Sequence, residues 1–421
     1  MSWASTSVEQ KDLISVNVVL LGAEQEAIEE LVGIGHTVTV LYVAHDRVVM
    51  ESCRDMITNR AFLPSFDRPE LAWAALTHLG VADLVDIVIP GHEFAVTTAA
   101  MLNDILGCRK PMDPAVALAG RDKPLQKTLW QQHKVPTARF RVFAERPTSQ
   151  AVFREALDGL KPPYVVKPTA DGGAHLVFRA STVEESFDRI TATAELETFM
   201  VEEWQPGDEW HFDGVIADGR IECFMVSRDV NPVIEARSGN PFRSIALPVK
   251  DYRQLYEEAL AFAERCRSAL GGRNGGFHLE VFGGPGGFVA GELAWRPPGG
   301  LVSISAQLTI GVSLWAAHAR VHVGANVPAP EFEPTGVIGF VCLPVKSGFR
   351  NGVTLADLER LPGVRHLRMK VRPGEVMKDM NTSSIAVAWA LIEGDDVDHC
   401  GKRMDDAIRL VAELHEAKSV P

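Results

Sequence analysis

The chain lacks several features that would assign it quickly. Its six cysteines (Cys53, Cys108, Cys223, Cys266, Cys342 and Cys400) include no C-x-x-C pair. Scattered in this way they read as reduced thiols rather than as a disulfide frame or a zinc site. No run approaches the ~18 consecutive apolar residues that a membrane-spanning helix needs. The start, MSWASTSVEQKDL, has neither a basic nor an apolar targeting stretch, so a cytoplasmic location is expected. An excess of positive charge is also missing: the net charge is −13, which argues against a general nucleic-acid binder. There is no G-x-G-x-x-G after the first strand and no G-K-[ST], so neither a dinucleotide fingerprint nor a Walker A loop is present. No internal repeat or low-complexity tract occurs. What remains is an ordinary globular composition, 46% hydrophobic and 23% charged. At 421 residues this is too much chain for one core, so about three domains are expected.

The N-terminal part alternates strand-like and helix-like runs. VNVVLL (16–21), TVTVLYV (37–43) and residues 85–89 read as strands, with a helical pattern at 24–32 between the first two. This alternation predicts an open parallel α/β sheet, which binds ligands past the carboxyl ends of its strands. His92 and Glu93 stand just past the third run. Loop residues without a further role are the commoner case, and they are read so here. The domain is expected to end near residue 110, before the proline-punctuated CRKPMDP.

The middle of the chain carries more chemistry. Arg121-Asp122-Lys123 opens a helix running to His133. YVVK (164–167) reads as a strand ending in a lysine, followed by a loop with Asp171, Gly172 and Gly173 and a second strand at 175–179. A strand lysine beside such a loop can meet phosphate oxygens while the loop amides close over them; a plain hairpin with a surface lysine has the same signature. FMVEEW (199–204) leads into Gln205-Pro206-Gly207-Asp208-Glu209, where turn backbone could meet a base edge and Glu209 could accept from sugar hydroxyls. Paired strands are expected at 210–217 and 220–227, then an amphipathic helix over 252–270.

The stretch GGFHLEVFGGPGGFVAGELAWRPPGG (275–300) is the most informative. Two strand-like runs, 277–282 and 288–294, flank the glycine-rich break 283–287, which predicts a hairpin. With the loop centred on Gly286, Glu280 falls opposite Glu292. Facing carboxylates repel, unless a hard divalent cation lies between them. By alternation His278 shares the face of Glu280, and Ala294 and Arg296 that of Glu292. An exposed hairpin with surface acids is the bland alternative. Residues 302–321 read as mostly helix. Short strands then recur near 336–344, 364–371 and 385–394 before a closing helix at 405–414, a pattern of α+β type.

In this order, the helix lysine, strand lysine, glycine loop, EEW…GDE turn, paired acids and arginine resemble the ATP-grasp superfamily, over residues 121–300. The resemblance implies an N-terminal open parallel α/β domain (1–110), a central pair of ATP-grasp lobes (111–330) and a C-terminal α+β lobe (331–421). It implies ATP and Mg²⁺ as cofactors. Lys123 and Lys167 would hold phosphates under Gly172 and Gly173, Glu202, Glu203, Trp204 and Gln205 would grip adenine, and Glu209 the ribose. Glu280 and Glu292 would bind Mg²⁺, Arg296 would steady the transferring phosphoryl group, and His278 would face substrate. Where the family usually carries E-x-N-x-R, this chain has Glu292-Leu293-Ala294-Trp295-Arg296, so one metal ligand is replaced by alanine.

The C-terminal pattern looks like that of L-amino-acid ligases. The activity implied is an ATP-dependent carboxylate–amine ligase, joining a small carboxylate such as an amino acid to an amine. A carboxylase-like or purine-biosynthesis enzyme is the alternative, although no Met-Lys-Met biotin signature is present; a non-catalytic ATP-binding protein is another. Trp295 and the loop RSGNPFR (237–243) are expected as pocket walls. Arg237 and Arg243 of that loop could hold a substrate carboxylate, though solvated loop charges are commoner. A homodimer is the superfamily-level expectation.

Overall fold

The computed structural model describes residues 14–108, 112–238, 240–330, 336–344, 347–377 and 386–418. Three sheets organise them. The first contains β1 (Asn17–Leu21), β2 (Thr37–Tyr42), β3 (Asn59–Phe62) and β4 (Ile87–Pro90), all parallel in the order β3-β2-β1-β4. The expected parallel sheet is there, with one strand more than the sequence suggested. β3 reads NRAF and is half exposed at the sheet edge, so it lacks the apolar run that marks a buried parallel strand. The chain reverses direction across the sheet between β1 and β4. There Gly22 and Gly91 touch so closely that a Cβ on Gly22 would lie 2.8 Å from the Gly91 carbonyl oxygen.

The second sheet is small and antiparallel: β5 (Phe140–Phe143), β6 (Tyr164–Pro168), β7 (Phe178–Ala180) and β8 (Phe199–Glu203), ordered β5-β8-β6-β7. β7 starts later than expected because Ala174 and Leu176, in the loop before it, take left-handed φ of 54° and 55°.

The third sheet has eight strands. It comprises β9 (Asp208–Ala217), β10 (Arg220–Asp229), β11 (Arg243–Ala246), β12 (Gly275–Gly283), β13 (Val289–Ala294), β14 (Val337–Leu343), β15 (Val364–Met369) and β16 (Ala388–Gly394). Its order is β13-β12-β9-β10-β11-β14-β16-β15, so the strands after residue 330 extend the same sheet as those before it. Cross-strand partners share a face: Phe212, Val226, Ile245, Val341 and Ala390 enter the larger core on one side. Helices Arg253–Leu270 and Val397–Lys418 supply the rest of that core. The opposite face packs partly under the helices Val302–Ile310 and Leu314–His322, separated where Gly311 adopts φ 73°. The remainder of this face is open.

Candidate active site

The open face of the large sheet is the floor of a cavity of about 500 Å³ that also reaches the small sheet and the end of β4. Thirteen of the residues singled out above line it: Lys123, Lys167, Gly172, Gly173, Glu202, Glu203, Trp204, Gln205, Glu209, His278, Glu280, Glu292 and Arg296.

The floor follows from register. Glu280 on β12 stands opposite Glu292 on β13 and opposite His211 on β9; His278 stands opposite Ala294 and Asp213. A bulge just past Glu280 re-aims the hairpin, with Gly291 as the extra residue. A Cβ there would meet the Phe282 ring at 2.7 Å and the Glu280 carbonyl oxygen at 3.1 Å, so a larger residue would have to push that ring aside. Burial in the cleft and the facing Glu292 raise the Glu280 carboxyl above its ordinary range. Two acids that repel in this way, with oxygen donors only and no asparagine at Ala294, fit one hard cation shared with phosphate oxygens.

Three buried charge clusters surround this pair. Glu202 sits between Lys167 (2.7 Å) and Lys127 (3.0 Å). Burial alone would raise its carboxyl, but the two ammonium groups hold it down to about 2. The Glu202 side chain therefore serves the lysines, and only its backbone remains for the turn that follows. Lys123 Nζ contacts Glu292 at 3.1 Å and donates to the Asp171 carbonyl at 2.5 Å, tying the glycine loop to the floor.

The second cluster corrects the reading of Glu93. It is no idle loop residue: it is 8% exposed and bridges Arg121 and Arg296, the latter at 2.5 Å. Burial opposes its charge, yet the two guanidinium groups lower its carboxyl to about 2. Arg121 also donates to the Ala170 carbonyl, at 2.9 Å. Arg296 is thus fixed by a carboxylate from the turn that follows β4.

Asp213, fully buried, accepts from both His211 (2.5 Å) and His278 (2.7 Å). Burial would lower the His211 pKa, but Asp213 pushes it to about 9. This link fixes the ring of His278, which lies 3.9 Å from Glu280.

At the turn, Trp204 N–H is committed to the Pro163 carbonyl (2.9 Å), and its ring carries the Arg179 guanidinium at 4.5 Å. Gln205 donates to the Glu203 carbonyl at 3.1 Å. Glu209 accepts from the Val233 N–H at 2.9 Å, and burial raises its carboxyl to about 7.

Of the two expected walls, the 237–243 loop reaches the cavity through Phe242, whereas Trp295 does not. Trp295 is 1% exposed and points to the other side, against Gly120 and Gly272, its indole donating to the Val116 carbonyl. At that position on the strand, alternation turns it into the core. Arg243 pairs with Asp405 on the closing helix, and the Arg237 side chain lies outside the described residues. Their loop contributes Phe242 to the cavity instead.

Residues the sequence reading passed over are Arg121, Lys127, His211 and Asp213. Lys127 had a signal, standing four residues after Lys123 on one helix face. His211 and Asp213 had only strand alternation, which names a face without naming its neighbours.

No family model matches the chain. It is 23% identical over 326 residues to an L-arginine-specific L-amino acid ligase of Bacillus subtilis, covering 75% of this chain and 77% of that protein. It superposes on the crystal structure of an L-amino acid ligase from Bacillus licheniformis with a TM-score of 0.74 at 17% identity, over 93% of this chain and 98% of that one. A carboxyaminoimidazole ribonucleotide synthase from Aspergillus clavatus, complexed with ATP, gives 0.72 at 16% identity, over 95% and 99%. The fold is therefore that of the ATP-grasp proteins. Its likeness extends both to L-amino acid ligases and to a carboxyaminoimidazole ribonucleotide synthase.

Proposed function

We propose that the protein is an ATP-dependent carboxylate–amine ligase. The observation that carries this reading is the joining, around one cavity, of the facing acids Glu280 and Glu292 with Lys123, Lys167 and an Arg296 fixed by Glu93. An acid's carboxylate oxygen attacks the γ-phosphorus of ATP and ADP leaves. An amine then attacks the acyl phosphate, releasing inorganic phosphate and forming the amide. Lys123 and Lys167 neutralise phosphate charge, and Arg296 meets the transferring group. Glu280 and Glu292 are the residues that would hold Mg²⁺, which supplies Lewis-acid neutralisation of the phosphate oxygens. The glycine loop, tied down through Ala170 and Asp171, keeps water from the acyl phosphate.

The similarity to the Bacillus ligases favours an amino acid as the acid and an amine or second amino acid as the nucleophile. The division of the chain at 110 and 330, the roles given to the remaining cavity residues, and a homodimer belong to the same proposal. Among the described residues no helix is long and apolar enough to cross a membrane. The test is phosphate release from ATP and Mg²⁺ with amino acids singly and in pairs, followed by mass spectrometry. ADP, phosphate and a condensed product support the ligase. Turnover only with bicarbonate or a purine intermediate supports the second reading, which rests on the comparable likeness to the Aspergillus clavatus synthase.

A further inference from the structure

The sheet face that carries the acids does not stay polar. Following register from His211 through Ser227 and Ala246 reaches Ile338 on β14, so Phe340 and Cys342 point to the same side. Cys342 pairs with Trp389 on β16, and its N–H bonds the Phe242 carbonyl at 2.9 Å. Phe242, Phe340 and Trp389 all line the cavity. They form an interlocked set: Phe242 meets Phe340 edge-on at 5.8 Å, and Phe340 meets Trp389 edge-on at 6.2 Å. Lys370 rests on the Trp389 ring with its Nζ 3.8 Å from the centroid, which fixes that ring from the rim.

The position of this wall matters as much as its chemistry. The chain leaving Arg296 runs through Pro298, Gly299 and Gly300 along the cavity, and a Cβ on Gly300 would lie 2.9 Å from Phe340 Cζ. The aromatic wall is therefore continuous with the segment that presents Arg296. The turn Glu202–Gln205 belongs instead to the small sheet. Arg243, the nearest cation on the wall's own loop, is taken by Asp405.

We infer that the acid accepted at this site carries a bulky apolar side chain, aromatic or long aliphatic, seated on Phe242, Phe340 and Trp389. The inference rests on the ligase reading for the identity of the occupant as an acid. A preformed aromatic pocket discriminates by apolar area, on the order of 10- to 200-fold per methylene-scale difference. A small or charged side chain would leave the rings uncovered or bury an unpaired charge.

The test measures binding and turnover separately on the full chain. Calorimetry in the presence of ADP and Mg²⁺ compares L-phenylalanine, L-leucine and L-methionine with glycine, L-alanine, L-aspartate and L-arginine. Phosphate release with ATP and a panel of amines uses the same acids. The bulky apolar acids should bind at least about tenfold more tightly than the others. Trp389→Ala and, separately, Phe242→Ala should remove that preference while leaving ADP affinity unchanged. Binding with this pattern but no product would uphold the wall and overturn the ligase reading. Ligation that prefers small or charged acids would overturn the wall and leave the ligase standing. Absence of binding by any bulky apolar acid, or a loss of ADP affinity in both folded variants, would also overturn it.

Discussion

One sheet face has two halves that solve different problems. Over β13, β12 and β9 it carries Glu292, Glu280, His278, His211 and Asp213; over β11, β14 and β16 the same face carries Phe340, Cys342 and Trp389, with Phe242 just before β11. The charged half is stable only because its groups are paired: Glu292 with Lys123 and Asp213 with two histidines, while Glu93 and Glu202, on other elements around the cavity, are each flanked by two cations. Buried charges left alone would cost several kcal/mol each. The aromatic half is held mainly by its rings, which gain from removal from water and from each other, with Lys370 resting on Trp389. The contrast teaches that fold geometry sets where side chains stand, whereas pairing decides which of them the fold can tolerate.

The sharpest way to break the comparison is to strip the charged half of its arginine. Arg296→Ala should lower turnover on the order of a thousandfold, with nucleotide affinity nearly unchanged; steady-state phosphate release beside equilibrium ATP binding checks it. Unchanged turnover would remove Arg296 from the chemistry.

The next effect is acid lability. Glu93 ionises near 2 in the folded chain against an ordinary 4.5. Its stabilisation is therefore complete above pH 4.5 and disappears as pH falls towards 2, a change of about 3 kcal/mol. Denaturant midpoints measured across this range should fall steeply for the native chain and more gently for Glu93→Gln. Parallel curves would show that Glu93 does not govern the acid limb.

Glu280→Gln should weaken Mg²⁺ dependence by about ten- to a hundredfold, read from the metal concentration for half-maximal ATP use. An unaltered Mg²⁺ titration would argue against the hairpin as the metal site. The smallest effect is expected from Ala294→Asn, which restores the oxygen the family usually has there and should preserve or modestly tighten metal binding. A large loss would mean that Ala294 makes room for substrate beside His278, its cross-strand neighbour.

Much of the site could be read from the chain. Glu280 and Glu292 were placed opposite each other because a tight hairpin fixes register over twelve residues of sequence, and the bulge at Gly291 did not disturb that one pair. Lys123 and Lys167 were legible as a helix start and a strand end. Trp295 was misread because strand alternation turns it into the core beside Gly120 and Gly272. Glu93 was misread because its partners lie far along the chain, at Arg121 and Arg296.

The sequence by itself determined the local matters: which runs alternate, where glycine must break a strand, which acids a short loop brings together, and the fold those motifs resemble. The tertiary structure alone decided what stands beside what. It joined Glu93, just past β4, to Arg296, set Asp213 between two histidines, and laid β14 and β16 beyond β11 so that Phe340 and Trp389 share the face of Glu280. The reason is physical. A period of two fixes the side to which a residue points, whereas the neighbour it finds there depends on non-local strand order and register, which only the packed core selects.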